Sequence, residues 1–110
     1  MTVNENSVEQ DNVKIVFDEK NIRCAALDGE KETGFITIEP GADNLWTITH
    51  TEVDPAYGGR GIAKKLVLKV VEEARARSVK IIPVCSYAKK ILEGNEEYSD
   101  VLWKKNDYMI

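Results

Sequence analysis

The hydrophobic period of this chain changes once, across a stretch that no regular element can run through. Up to Val53 the apolar residues come in short runs rich in Val, Ile, Thr and Trp, the pattern of half-buried strands. Residues 54–61 then read Asp-Pro-Ala-Tyr-Gly-Gly-Arg-Gly, a dense cluster of breakers. Beyond it Ile62, Ala63, Leu66, Val67, Val70, Val71 and Ala74 recur at steps of three and four. Lys64, Lys65, Lys69, Glu72, Glu73 and Arg75 take the opposite face, and only Leu68 is out of place. This spacing predicts an amphipathic helix over about residues 60–77.

Before the break, residues 13–17, 22–27, 34–38 and 45–53 read as four strands. The connections are a few residues long, and Asp28-Gly29 is a hairpin signal, so an antiparallel meander is expected. After the helix, residues 80–85 read as a short strand in which Pro83 points to an edge or irregular position. Ser86 is expected to cap a helix through about Glu93, ended by Gly94, with a last short helix over 96–104. Strand, helix and strand over residues 45–85 imply a right-handed crossover and parallel neighbours. The order β-β-β-β-α-β-α is α+β: a mostly antiparallel sheet with the long helix across one face. Residues 1–12 read as a loose tail, 13–105 as the single domain and 106–110 as a short end.

Composition narrows the partners. Leu, Ile, Val and Phe make up about a quarter of 110 residues, enough for a real core and against intrinsic disorder. A net charge of −4 argues against a nucleic-acid partner. No apolar run approaches the roughly 20 residues of a membrane helix, and residues 1–12 have no signal-peptide core, so no membrane partner is expected. Two cysteines, Cys24 and Cys85, make no disulfide framework, which points to a reducing, cytoplasmic setting. A single histidine, His50, excludes a His-rich metal site, and no metal is expected.

The breaker cluster lies where a strand ends and a helix begins. Such a helix start has about four N–H groups without internal partners and the positive end of the helix dipole. Gly58, Gly59 and Gly61 lack a Cβ and let the backbone turn sharply against an anion. Residues 60–80 carry seven basic and two acidic side chains, which leaves −9 on the rest of the chain. A mildly basic helix on an acidic body suits a small phosphorylated ligand. The bland alternative is a glycine-rich turn with a solvated cationic face. The Walker spacing is absent, and Lys64 stands where a dinucleotide motif needs its third glycine.

The run Val53-x-Pro55-x-Tyr57-x-Gly59-x-Gly61-Ile62-Ala63 resembles the acetyl-coenzyme-A signature of the GNAT N-acetyltransferase superfamily. With His-Thr-Glu-Val at 50–53 and Pro-Val-Cys-Ser-Tyr at 83–87, it is similar to the minimal, single-domain, YjdJ-type branch, over roughly residues 13–103. The resemblance implies a fifth strand that splays from the fourth, with pantetheine bonded near Thr51 and Val53. It places the pyrophosphate on the amides of Gly58, Gly59, Arg60, Gly61, Ile62 and Ala63. Gly58 stands where the superfamily usually has Arg or Gln, and Ala63 replaces the last glycine. Too few residues separate the first two strands for the two helices that larger members carry there, so the acceptor site is expected to be open.

Amide formation from a thioester needs a neutral amine and a proton for the leaving thiolate. Strand alternation puts His50 and Glu52 on one face, and either could take the amine proton. Cys85, at the end of the fifth strand, falls where the resemblance places the thioester. It is a candidate for stabilising or attacking it, or a buried small hydrophobe. Tyr87 could protonate the thiolate, as a tyrosine near this place does in many superfamily members. Tyr57 and Cys24 are expected to pack, and Trp46 and Trp103 to be core or interface residues. The expected function is acetyl-CoA-dependent N-acetyl transfer to an amine by direct attack in a ternary complex. The acceptor is a small molecule or a protein, and the −9 remainder favours a cationic one. A non-catalytic acyl-CoA-binding or sensing module is the alternative, and a plain interaction domain the third reading.

Overall fold

The computed structural model describes residues 13–104; the expected tail at 1–12 and end at 106–110 lie outside the described residues. Five strands form one sheet in the order β1-β2-β3-β4-β5: Val13–Asp18, Arg23–Asp28, Lys31–Gly41, Leu45–Val53 and Lys80–Pro83. The first four pair antiparallel and β5 runs parallel to β4, as the connection lengths predict. Helix α1 spans Ile62–Arg77 and α2 spans Ser86–Glu93. The turn between β1 and β2 is held by Asp18, whose carboxylate accepts from the backbone N–H groups of Lys20 and Asn21.

Helix α1 buries Ile62, Leu66, Val67, Val70, Val71 and Ala74. They pack with Cys24, Ala26, Ile36, Ile38, Trp46 and Ile48 of the sheet in one core. Leu68, off the main stripe, is partly buried and packs against the same core beside a hollow it shares with Tyr98.

Two bulges interrupt the ladders. Ala26 pairs with Gly34 and Leu27 with Glu32, which leaves Thr33 as an extra residue in β3. Thr37 pairs with His50 and Ile38 with Ile48, which leaves Thr49 extra in β4. An extra residue turns the rest of a strand over. Trp46 and Ile48 are therefore buried, whereas His50 and Glu52, of the same parity, are exposed. Each bulge is tied down by its own threonine: Thr33 Oγ1 donates to Ala26 O, and Thr49 Oγ1 donates to Thr37 O, both at 3.3 Å.

The end of the chain differs from expectation. Glu96–Tyr98 form a single 3-10 turn, continued by looser turns through Val101 rather than by a helix. The following residues lie along the outer edge of β5, where Ile81 N–H donates to Val101 O (2.6 Å) and Trp103 N–H to Ile81 O (2.9 Å). An open strand edge leaves backbone groups without partners, and this segment meets some of them.

Candidate active site

The β4–β5 ladder stops at Ile48 and Pro83. The N–H groups of Val84 and Cys85 both reach back to Ile48 O at 3.0 Å, and β5 gives way to α2. Among the described residues, Thr49–Val53 thus have no strand partner on that side, which is the expected splay. Asp54 closes β4: its N–H donates to Thr33 O at 2.7 Å, and its carboxylate caps Ala56 N–H at 2.9 Å. Pro55–Tyr57 form a 3-10 turn, and Gly61 caps α1.

The three loop glycines are not equivalent. Gly59 and Gly61 have φ of 79° and 74°, the left-handed region that other residues avoid. Gly58 has an ordinary φ of −65°. Its N–H donates to Pro55 O at 3.1 Å, so its amide is not open to an anion as expected. The open run begins one residue later and goes one residue further. Among the described residues, the N–H groups of Gly59, Arg60, Gly61, Ile62, Ala63 and Lys64 meet no acceptor.

Among the described residues, the first turn of α1 itself contributes no negative charge. The helix has no side-chain cap and no acidic residue in its first turn; Lys64 and Lys65 stand there instead. Folding gains nothing from cations at the positive end of a helix, whereas an anion would relieve all of these features together. Val53, the loop glycines, Ile62, Ala63 and Tyr87 line a hollow of about 230 Å³ at this point. A larger hollow of about 460 Å³, at the far end of α1, is lined by Arg75, Lys80 and Asp100 among others. Its charged groups are paired with one another and with the backbone, so size does not decide the site.

Cys85, rather than Ser86, is the residue that caps α2: Lys89 N–H donates to Cys85 O at 2.9 Å. Its Sγ lies 3.4 Å from Thr51 Oγ1, across the splay. Burial pushes the thiol up. The Thr51 hydroxyl and the backbone N–H groups of Ala88, Tyr87 and Thr51 favour the thiolate more strongly, so its pKa lies below that of an ordinary cysteine. Cys24 is fully buried, and burial pushes its thiol up to about 12. Tyr87 is 37 % exposed, and burial of its phenol raises its pKa, so it keeps its proton. At neutral pH iodoacetamide is expected to alkylate Cys85 alone. The rate should reach half its maximum at a lower pH than for a free cysteine, because only the thiolate reacts. Peptide mass spectrometry across a pH series checks this, and labelling of Cys24 in the folded protein would contradict it.

His50 and Glu52 lie on the opposite face of the sheet from α1. Their side chains meet at 3.0 Å between Nε2 and Oε1, and both are largely exposed. The His50 ring lies 6.0 Å from that of Phe35. The structure therefore makes two groups of the four predicted catalytic residues. Cys85 is at the splay and Tyr87 at the loop hollow, whereas His50 and Glu52 form a pair on the other face. Trp46 is a core residue stacked on Phe17 at 5.6 Å. Tyr57 does more than pack: its hydroxyl donates to Asp28 Oδ2 at 2.6 Å. Asp28 and the bulge at Thr49 went unforeseen. The Asp28-Gly29 dipeptide signalled only a turn, and nothing in the composition of β4 marks an inserted residue.

A sheet that opens beside a helix start with several N–H groups free of acceptors is a geometry suited to an anionic ligand. The model of the GCN5-related N-acetyl-transferase family matches residues 23–101, and the chain belongs to that family. An NMR structure of a GCN5-like protein from Staphylococcus aureus is 38% identical, with a TM-score of 0.67 over 84% of this chain and 90% of that one. The ribosomal-protein-S18-alanine N-acetyltransferase of Escherichia coli shares the fold at 17% identity and a TM-score of 0.57, over 86% of this chain and 60% of its own. A chain of the NatC complex, solved with a Gag peptide and CoA, does so at 24% and 0.50, over 66% and 54%. The chain thus spans little more than half of these larger enzymes. Among curated proteins none matches it. No described helix is long and apolar enough to cross a membrane.

Proposed function

We propose that this chain transfers the acetyl group of acetyl-CoA to an amine by direct attack in a ternary complex. The observation that carries the proposal is the run of six N–H groups without acceptors, from Gly59 to Lys64, at a helix start free of acidic residues. A diphosphate satisfies several such groups at once. Arg60, which pairs with no described carboxylate, adds a cation beside them. The edge of β4 from Thr51 to Val53, which pairs with no described strand there, offers backbone groups to the amide-bearing pantetheine arm.

Acetyl-CoA supplies an activated acyl carbon and a thiolate leaving group. The amine nitrogen bonds to that carbon as the carbon–sulfur bond breaks. Glu52 or His50, paired on the open face, accepts the amine proton. Tyr87, whose phenol stays protonated, donates to the leaving sulfur, and Cys85 is placed to contact the thioester end. Only a short turn joins β1 to β2, so the face that bears His50 and Glu52 has no helical wall from that connection. This favours an acceptor of loose shape, a small molecule or a protein amine, and the acidic body of the domain favours a cationic one. Two free thiols fit a reducing compartment such as the cytoplasm.

At 100 times its dissociation constant a ligand that binds only the native state contributes about 2.7 kcal/mol. Each kcal/mol moves the midpoint of a domain this small by roughly 4–8 °C. Saturating acetyl-CoA is thus expected to raise the unfolding midpoint by about ten degrees or more, with little change from NAD or ATP. Release of free CoA across a panel of amines then measures transfer. An unchanged midpoint would overturn the proposal.

A further inference from the structure

The loop that offers the six N–H groups has little of its own to hold it. Its 3-10 turn buries no side chain, and three glycines within four residues make it the most costly stretch of the chain to order. What fixes it comes from the β2–β3 hairpin, to which the proposed chemistry gives no part. Tyr57 Oη donates to Asp28 Oδ2 at 2.6 Å, joining residues 29 apart in sequence. Lys31 Nζ lies 5.3 Å from the centre of the Tyr57 ring and 3.7 Å from Asp54 Oδ2. Asp54 N–H donates to the carbonyl of Thr33, the bulge residue, which is 1% exposed. The Tyr57 ring in turn carries the Arg60 guanidinium, its central carbon 4.9 Å from the ring centre. Asp28 itself is set by the Asp28-Gly29 turn, where Gly29 has φ of 64°. A line of contacts thus runs from a rigid hairpin through one phenol to a cation and the open amides.

We propose that Asp28 is a positioning residue for the anion-binding loop, acting through Tyr57 on Arg60 and on the backbone from Gly59 to Lys64. The proposal rests on the reading of that loop as a diphosphate site. The bond from Tyr57 to a carboxylate is charge-assisted, the stronger kind. Its loss leaves the fold intact, because Tyr57→Phe keeps the ring that packs against the core, but loosens the loop. The cost falls on ligands that use the loop and spares those that do not.

The test titrates the full-length wild type, Tyr57→Phe, Asp28→Asn and Asp28→Ala with CoA and with pantetheine, which lacks the diphosphate. Tyr57→Phe and Asp28→Ala are expected to weaken CoA about tenfold, with pantetheine affinity unchanged and the ligand-free unfolding midpoint lowered by no more than about ten degrees. Asp28→Asn, which keeps an oxygen to accept the phenol proton, is expected to restore most of the affinity. Equal CoA binding by wild type and Tyr57→Phe overturns the proposal. So does an equal loss for both ligands, which would mark a general structural role. Asp28→Ala also alters a hairpin turn; Tyr57→Phe leaves that turn intact and decides the matter if Asp28→Ala does not fold. A wild type that binds CoA no better than pantetheine would instead remove the diphosphate reading, and the proposal with it.

Discussion

Gly61→Val is expected to weaken CoA binding by about 100-fold or more, roughly 2.7 kcal/mol, in a protein that still folds. Gly61 sits at φ of 74° as the cap of α1. A β-carbon there costs about 1–2 kcal/mol against the following carbonyl, and a β-branched side chain is worse. The domain can bear that cost, since stabilities of 5–15 kcal/mol are usual. Binding cannot. If the residue relaxes to negative φ, its own N–H and that of Ile62 turn away from the common focus. If it stays, its methyl groups enter space where an ideal β-carbon now meets nothing within 4 Å, the space proposed for the diphosphate. Gly61→Asn separates the two effects, because Asn tolerates the left-handed region and adds only bulk; an intermediate loss is expected. Gly58→Ala should be the mild case. Its φ is ordinary, and the new carbon would come 3.3 Å from Pro55 O, a contact that small shifts relieve. Calorimetric titration with CoA measures all three, and wild-type affinity in Gly61→Val would overturn the loop assignment.

The second large effect concerns the pair on the other face. The more damaging of Glu52→Gln and His50→Ala is expected to lower kcat about 100-fold, within the usual 10²–10⁴ for a positioned base, while CoA affinity stays unchanged. Side chains in contact act as a unit, so the double variant should be little worse than the worse single one. Measured across pH with a responsive amine, these rates identify the group that takes the proton. Two variants with full activity at every pH would leave the base role to neither residue and shift it to water.

Much of this was legible in the sequence, and what was not has identifiable causes. Helix α1 and the four-strand meander follow from periodicity, which tertiary packing can only reinforce. The loop follows from Pro55 and its glycines. Which glycine does what does not follow, because the sequence prints the same letter at φ of −65° and of 79°. Gly58 was expected to offer an amide that instead closes the 3-10 turn. The cap of α2 falls at Cys85, one residue before the Ser86 that the sequence suggests, since two adjacent small polar residues leave that boundary open. The expected helix over 96–104 gives way to turns and then to the edge of β5, which takes up Val101–Trp103. The bond between Asp28 and Tyr57 spans 29 positions and belongs to no local pattern.

The extra residue at Thr49 reaches beyond this chain. Anyone who transplants the His50–Glu52 dyad to another scaffold by copying alternate positions of a strand will point both groups into the interior. The transferable unit is therefore a segment: the kink, its threonine fastening and the two side chains that follow. Deleting Thr49 alone should invert that segment's polarity without changing either side chain.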